Sequence, residues 1–503
     1  MNFNSLAYLV FFPAIVILYF ILPGRKLRNA LLLVASYGFY MCWNPKYIIL
    51  MFLCTLITYL DGIFIGIAKK EEQEKVAKNK RRTGRPRAYI VTTVLFMLGV
   101  LAYFKYGNFL LDSMVRLFAL FGVHLRIPSY DVVLPVGVSF FTFQAVSYDL
   151  DVYRGDVEVE KNFFRFALFV SFFPQLVAGP IERSGHLLHQ FDEKHAFDAE
   201  RITRGVMTML WGYFMKIVIA DRAAVFVDQV YNYWPAYNGL VLILATVLFA
   251  VQIYCDFGGY SFIAIGSAQV LGFDLMQNFR QPYFAVSVAD FWRRWHISLT
   301  TWFRDYLYFP LGGSRTTKWK HWRNIMIVFL VSGLWHGASW TYVIWGGLNG
   351  LLQIIGMWLK PFREKGKKAL RIAENSFGLR LFQSIVTFIL VDFTWIFFRA
   401  STVRNAFGII RNSFTCWNPW VLFDGTLYTL GLSQVEFHVL LFAIGVLFIV
   451  DLLHYNGISI RNGILRQPLP VRWTVYILGS LFVLIYGMYG PAYHAASFIY
   501  FQF

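Results

Sequence analysis

The chain has 503 residues, of which 57% are hydrophobic, 19% aromatic and only 15% charged. An ordinary soluble domain is about 25% charged, so the composition excludes a conventional soluble protein and favours a membrane protein. The formal net charge of +18 does not indicate a nucleic-acid-binding protein, because the cations lie between apolar runs and form no basic module.

Apolar runs long enough to cross a bilayer recur along the chain, since a span needs ~20 apolar residues. They predict an all-α, polytopic bundle of roughly 11–13 membrane segments, some re-entrant, in one membrane domain, 1–503. The clearest runs are 6–22, 46–67, 88–104, 239–255, 324–359 as a double crossing, 380–398, 436–454 and 471–490. Shorter or interrupted runs are 29–43, 109–122, 133–148, 162–178, 205–230 and 258–273.

The distribution of the cations predicts the orientation of the chain. Lys and Arg cluster at 25–28, 69–87 and 360–371, as expected for loops on the cytoplasmic side of a membrane. The first two clusters share that side if the N-terminus is extracytoplasmic. The run at 6–22 lacks a basic n-region and a small-residue cleavage site, so we interpret it as a retained first span.

Polar residues inside the apolar runs are candidates for function, because a charge within a bilayer is costly and is usually paired or functional. For Asp256, we expect an ion pair with Arg293 or Arg294, or a role in orienting His296. The residues in this class are Asp149, Asp151, Asp221, Arg222, Asp256, His296, His336 and Asp392.

The segment 290–313 has the pattern of one amphipathic helix. Stepping 100° per residue gives an aromatic stripe and an opposite polar stripe, with His296 beside the aromatic one. Such a helix is typical of the membrane interface, and a lone histidine in it is either a packing residue or a functional one. The aromatic stripe is Trp292, Trp295, Leu299, Trp302 and Tyr306, and the polar stripe is Arg294, Ser298, Thr301 and Asp305.

The segment 324–350 has the pattern of a helix or a broken helix pair, and His336 is its one side chain with an ordinary pKa near neutral pH. Small residues at Gly333, Gly337 and Ala338 leave room for backbone or a substrate to approach the imidazole closely. The alternative is that Gly337, and Gly346 with Gly350, allow close packing of two helices. A neutral imidazole has a pKa near 6.5 and can act as a general base at neutral pH. No Cys or Glu completes a ligand set around the histidines, so we predict no metal site.

Seven stretches in order resemble the membrane-bound O-acyltransferase (MBOAT) superfamily, and within it the bacterial branch typified by alginate O-acetylation proteins. The resemblance extends over nearly the whole chain, although 400–435 is less familiar. The stretches are LPVGVSFFTFQAVSYDLDVYR at 134–154, FFPQLVAGPIER at 172–183, YCDFGGY at 254–260, NFRQPY at 278–283, FWRRWHISLTTWFRDYLYFPLGG at 291–313, GLWHGAS at 333–339 and the terminal FIYFQF.

The resemblance implies a helical bundle with a central tunnel, in which His336 is catalytic and His296 lines the cytoplasmic side. It also implies transfer of an acyl group, most simply acetyl, from a cytoplasmic thioester such as acetyl-CoA, with no bound cofactor. The acceptor would be an exported or cell-surface polysaccharide, reached through an extracytoplasmic SGNH-type partner protein at the bacterial cytoplasmic membrane. Further candidates to line the substrate path are Asp256, Arg293, Arg294, Asp305, Ser332 and Trp335.

Two alternatives remain open at this point. One is D-alanyl transfer to teichoic acid from a carrier-protein thioester, against which the length beyond residue 400 and the FIYFQF ending argue. The other is a transporter or lipid flippase, which also uses intramembrane charges and broken helices, although no inverted repeat is visible. Two roles also remain open for Arg293, Arg294 and Arg315. They either attract the donor phosphates or anchor the chain at the cytoplasmic interface.

Overall fold

The computed structural model describes residues 1–78, 84–125, 134–177, 179–373 and 376–489. Within these ranges every regular element is helical, which confirms the all-α prediction. The terminal FIYFQF motif and three cations of the second cluster lie outside the described residues; these cations are Lys80, Arg81 and Arg82.

Six helices among the described residues are long and apolar enough to span a membrane, and a bent pair would make a seventh. They confirm a multi-span membrane protein, while the total of 11–13 segments stays a prediction because it counts shorter and re-entrant pieces. The N-terminal apolar helix, Leu6–Ile21, is shorter than the others. The six are Tyr47–Ala77, Arg85–Leu120, Gly239–Leu271, Phe377–Arg399, Gln434–Tyr455 and Leu469–Tyr486, and the bent pair is Trp340–Trp358 with Lys360–Ala369.

The chain divides into two compact units, and the first comprises Met1–Val206 and Ala264–Met276. Its helices are α1 (Leu6–Ile21), α2 (Arg25–Met41), α3 (Tyr47–Ala77), α4 (Arg85–Leu101), α5 (Gly107–Leu120), α6 (Val138–Arg154), α7 (Phe163–Ser171), α8 (Phe173–Leu176), α9 (Ser184–Leu187) and the start of α10 (Ala199–Tyr213). A π-helical turn, Ala102–Tyr106, joins α4 to α5, and Leu188–Asp192 is a 3₁₀ turn.

A buried carboxylate fastens two loops of the first unit together. Glu182 is fully buried and accepts hydrogen bonds from the backbone N–H of Met276 at 2.5 Å and from Nδ1 of His186 at 2.7 Å. Nε2 of His186 also lies 3.6 Å from Asp274. Hydrogen bonding to the Asp274 and Glu182 carboxylates raises the pKa of His186 to about 10, so this imidazole is charged near neutral pH.

The second unit comprises Met207–Ile263 and Gln277–Phe503. Its π-helical turns are Phe214–Ala220 and Arg304–Tyr308, and its 3₁₀ turns are Trp234–Ala236, Pro282–Phe284, Pro419–Leu422 and Thr426–Thr429. Its helices, after the end of α10, are α11 (Asp221–Asn232), α12 (Gly239–Leu271, up to Ile263), α13 (Val288–Arg294), α14 (Ile297–Phe303), α15 (Lys318–His336), α16 (Trp340–Trp358), α17 (Lys360–Ala369), α18 (Phe377–Arg399), α19 (Val403–Thr415), α20 (Gln434–Tyr455), α21 (Ile460–Leu465) and α22 (Leu469–Tyr486).

Hydrogen bonds connect the π-helical turn Phe214–Ala220, and the start of α11 that follows it, to the C-terminal end of α22. The backbone N–H of Met488 donates to the carbonyl of Ile217 at 2.8 Å, and Arg222 donates to the carbonyl of Tyr486 at 2.8 Å. A π-turn interrupts the regular backbone hydrogen bonding of an α-helix and is frequent at functional sites. The end of α22 is therefore fixed against the same turn that carries Lys216.

Candidate active site

His336 is the last residue of α15, and the chain turns at Gly337 before α16 begins at Trp340. The side chain of Ser339 caps α16 by accepting a hydrogen bond from the backbone N–H of Thr341 at 3.3 Å. Of the two alternatives for 324–350, a single helix or a broken helix pair, the structure has the broken pair. It places an imidazole that is only 2% exposed at a helix C-terminus, where the backbone dipole stabilises positive charge.

The small residues near His336 serve helix packing. A Cβ at Gly346 would overlap the carbonyl oxygen of Phe329, and a Cβ at Gly333 would overlap that of Tyr342. A Cβ at Gly337 would overlap the Tyr342 ring. The glycines thus bring α15 and α16 into backbone contact, and this contact holds His336 in place; of the two predicted interpretations, the structure supports close packing.

Aromatic rings enclose the His336 imidazole. Its ring centroid lies 5.0 Å from that of Trp335, 5.0 Å from that of Trp345 and 5.5 Å from that of Phe398. Phe398, on α18, packs edge-on against Trp345 at 5.0 Å. Three helices therefore build a rigid, apolar wall around one titratable group.

His296 lies at a break between two short helices, so the single amphipathic helix predicted for 290–313 is wrong. Helix α13 ends at Arg294, α14 begins at Ile297, and His296 has φ of 43° and ψ of 54°. This left-handed conformation is uncommon for a residue with a Cβ and costs about 1–2 kcal/mol. The surrounding structure must hold it, because the sequence pattern favours a continuous helix.

Asn278 and its neighbours hold the His296 turn. The carbonyl of Asn278 accepts from the backbone N–H of Ile297 at 2.9 Å, and its side-chain oxygen accepts from Ser298 at 2.6 Å. The side-chain amide of Asn278 donates to Ser261 on α12 at 3.0 Å. All three side chains are at most 2% exposed. Asn278 was not among the predicted site residues, and only its place in the NFRQPY stretch could have pointed to it.

The two imidazoles lie together. Their ring centroids are 6.2 Å apart, and His296 is fully buried between Phe257, at 4.6 Å, and Trp335, at 5.9 Å. Residues 40 positions apart in the sequence therefore meet in one apolar pocket of side chains.

The predicted pairing of Asp256 with Arg293 or Arg294 is wrong. Among the described residues, the ion partner of Asp256 is Lys216, whose Nζ lies 2.5 Å from Asp256 and 2.7 Å from Asp221. All three side chains are at least 95% buried. Lys216 was missed, although a cation inside the apolar run FMKIVIA was a usable signal.

The other predicted site residues lie in different surroundings. Arg293 is exposed, whereas Arg294 pairs with Asp290 at 3.0 Å and stacks over Tyr455. Asp305 is partly exposed and pairs with its neighbour Arg304 at 2.8 Å. Ser332 is 5% exposed, one helical turn before His336, and Trp335 is 4% exposed and contacts both imidazoles.

The chain is similar to known proteins over most of its length. A model of the membrane-bound O-acyltransferase family matches residues 29–371. The probable alginate O-acetylase AlgI of Pseudomonas aeruginosa is 38% identical over 424 residues, which cover 84% of this chain and 76% of that protein. The peptidoglycan O-acetyltransferase of Helicobacter pylori is 30% identical over 435 residues, covering 80% and 77%. The teichoic acid D-alanyltransferase of Bacillus subtilis is 27% identical over 285 residues, covering 54% and 70%. This chain belongs to the MBOAT family and is a multi-span membrane acyltransferase.

Proposed function

We propose that the protein transfers an acetyl group from acetyl-CoA to O-acetylate an exported or cell-surface polysaccharide, with His336 as its catalytic residue. The observation that carries the proposal is the pair of buried imidazoles, His336 and His296, 6.2 Å apart and lined by aromatic rings. The family assignment excludes the transporter alternative. Similarity to polysaccharide O-acetylases over more than three quarters of the chain, against 54% for the D-alanyltransferase, favours acetyl transfer.

In the proposed reaction, the imidazole of His336 accepts the proton of the acceptor hydroxyl as its oxygen attacks the thioester carbonyl. An indole N–H from Trp335 or Trp345, both in ring contact with His336, stabilises the oxyanion. The C–S bond then breaks, and the proton passes from His336 to the leaving thiolate. The C-terminus of α15 stabilises the imidazolium that forms between these steps.

His296 orients the acyl group in this proposal, and its aromatic neighbours exclude water from the thioester. Arg293 is the better candidate for the donor phosphates, because Arg294 already binds Asp290. The acceptor hydroxyl enters from the extracytoplasmic side of a central tunnel, and the ester formed there passes its acetyl group to the polysaccharide through an SGNH-type partner protein. The N-terminus faces the extracytoplasmic side of the bacterial cytoplasmic membrane. The basic loops then lie on the cytoplasmic side, where the thioester donor is.

Acyl transfer from radiolabelled acetyl-CoA in proteoliposomes tests the catalytic assignment. Substituting His336→Gln removes the base and should lower turnover by about 10²–10⁴-fold, with the gel-filtration profile of the wild type. Equal turnover in the two proteins would refute the role of His336. A protein that uses a D-alanyl carrier-protein thioester but not acetyl-CoA would instead establish the D-alanyl alternative.

His296 is tested by His296→Asn, since asparagine tolerates the left-handed conformation but cannot serve as an imidazole. We expect a protein that folds as the wild type and has clearly reduced turnover. Undiminished turnover would identify His296 as a packing residue.

A further inference from the structure

Helix α17 differs from every spanning helix because it is strongly basic. Residues 360–371 contain six Lys or Arg and one Glu. Helix α17 follows the apolar helix α16 directly and bends away from it by 47°. The bend between α16 and α17 therefore coincides with the change from an apolar to a basic sequence.

The residues of α17 separate into two faces. At 100° per residue, the small and apolar ones fall within an arc of about 100°, and the cations occupy the rest of the circumference. The large members of the apolar face are exposed: Phe362 is 60% exposed and Leu370 is 73% exposed. The apolar arc is Phe362, Gly366 and Ala369 of α17, together with Leu359 and Leu370, the residues directly before and after the helix.

Two observations indicate what covers this face. Trp358, the last residue of α16, is 58% exposed beside it, which is the usual position of tryptophan at a membrane–water interface. The excess of cations matches a negatively charged surface, and a basic amphipathic helix binds anionic lipid through both faces at once.

We propose that α17 lies in the membrane interface and binds anionic phospholipid headgroups, with Phe362 and Leu370 inserted among the acyl chains. Lys365 and Lys368 are exposed and reach the headgroups, whereas Lys367 is held by Glu364 at 2.7 Å. This binding surface is separate from the histidine pair, and the proposal does not depend on the acyl-transfer reaction.

The test uses the full-length protein with a fluorescent probe on the apolar face. Gly366→Cys is suitable because a Cβ there meets no atom within 4 Å. The exposed cysteines, Cys42 and Cys416, are replaced by serine, and an environment-sensitive dye is attached. The protein is placed in nanodiscs of phosphatidylcholine, alone or mixed with phosphatidylglycerol.

We expect the dye emission to shift to the blue and acrylamide quenching to fall only when phosphatidylglycerol is present. Both changes should disappear in ~1 M salt, where the Debye length is about 3 Å. They should also disappear in the double variant Lys365→Glu/Lys368→Glu, since each cation near an anionic leaflet contributes about fivefold to partitioning.

The matched control is Lys70→Glu/Lys78→Glu, which makes the same charge change at two exposed positions, one in α3 and one directly after it. It should keep the response to phosphatidylglycerol. Equal emission in the two lipid mixtures, or equal loss of response in the two double variants, would overturn the proposal. A shift produced in phosphatidylcholine by adding coenzyme A would also overturn it, and would assign α17 to donor docking.

Discussion

The second unit buries two polar centres that are built in opposite ways. Around Lys216, one cation lies between the carboxylates of Asp221 and Asp256 at 2.7 and 2.5 Å. Around His336 and His296, the neighbours described above are aromatic rings at 4.6–5.9 Å. The first centre is held by charge, and the second by the packing of helices and rings.

The difference indicates separate tasks. Buried charges are tolerated when they compensate one another, and removing one member leaves an uncompensated charge. The two imidazoles lie in contact with aromatic rings and close to each other, and the proposed reaction places a proton transfer there. We therefore expect the Lys216 centre to govern stability and the histidine centre to govern chemistry.

The largest expected effect on stability follows from removing the cation. Lys216→Met leaves two buried carboxylates and should destabilise the folded protein by about 3–5 kcal/mol, measured by thermal unfolding in detergent. The triple variant Lys216→Met/Asp221→Asn/Asp256→Asn removes the charges together and should recover most of the loss. If the triple variant is no more stable than the single one, charge compensation does not stabilise the Lys216 centre, and the contrast with the histidine centre is wrong.

A smaller effect is expected from the packing that positions His336. Gly346→Ala places a Cβ against the carbonyl oxygen of Phe329, which should cost about 1–3 kcal/mol and reduce acyl transfer by displacing α15. The matched control is Gly356→Ala on the same helix, where a Cβ meets no atom within 4 Å. If the two variants behave alike, the contact between α15 and α16 does not position the histidine.

The smallest effect concerns His186, whose imidazole has two carboxylate partners. Asp274 and Glu182 raise its pKa in the folded protein to about 10, above the ordinary value of about 6.5. Its stabilising contribution is therefore complete below about pH 6.5 and is lost as the pH rises towards 10. The melting-temperature difference between wild type and His186→Gln should shrink over that range, and a constant difference would contradict the assignment.

Much of the fold could be read from the sequence. Long apolar runs predicted α3, α12, α18, α20 and α22, because the bilayer demands a continuous helix of about that length whatever its neighbours. For 324–350 the sequence left a single helix and a broken helix pair both open, and the structure has the break after His336. The order of the short motifs correctly indicated the family.

The histidine turn was not readable in the same way. Residues 290–313 have a regular helical pattern, yet the structure interrupts it at His296. Hydrogen bonds from Ile297 to Asn278 and from Ser298 to Asn278 outweigh the local preference, and both depend on a segment that is distant in sequence. Local periodicity carries no information about such a contact.

The sequence by itself determined that this is an all-helical membrane acyltransferase. It also placed two histidines, His296 and His336, among apolar residues. Only the tertiary structure decided that the two imidazoles lie 6.2 Å apart and that Asp256 binds Lys216 rather than an arginine near the histidine motif. The reason is physical: apolarity and helical period act along one segment, whereas ion pairing and ring packing depend on which segments meet.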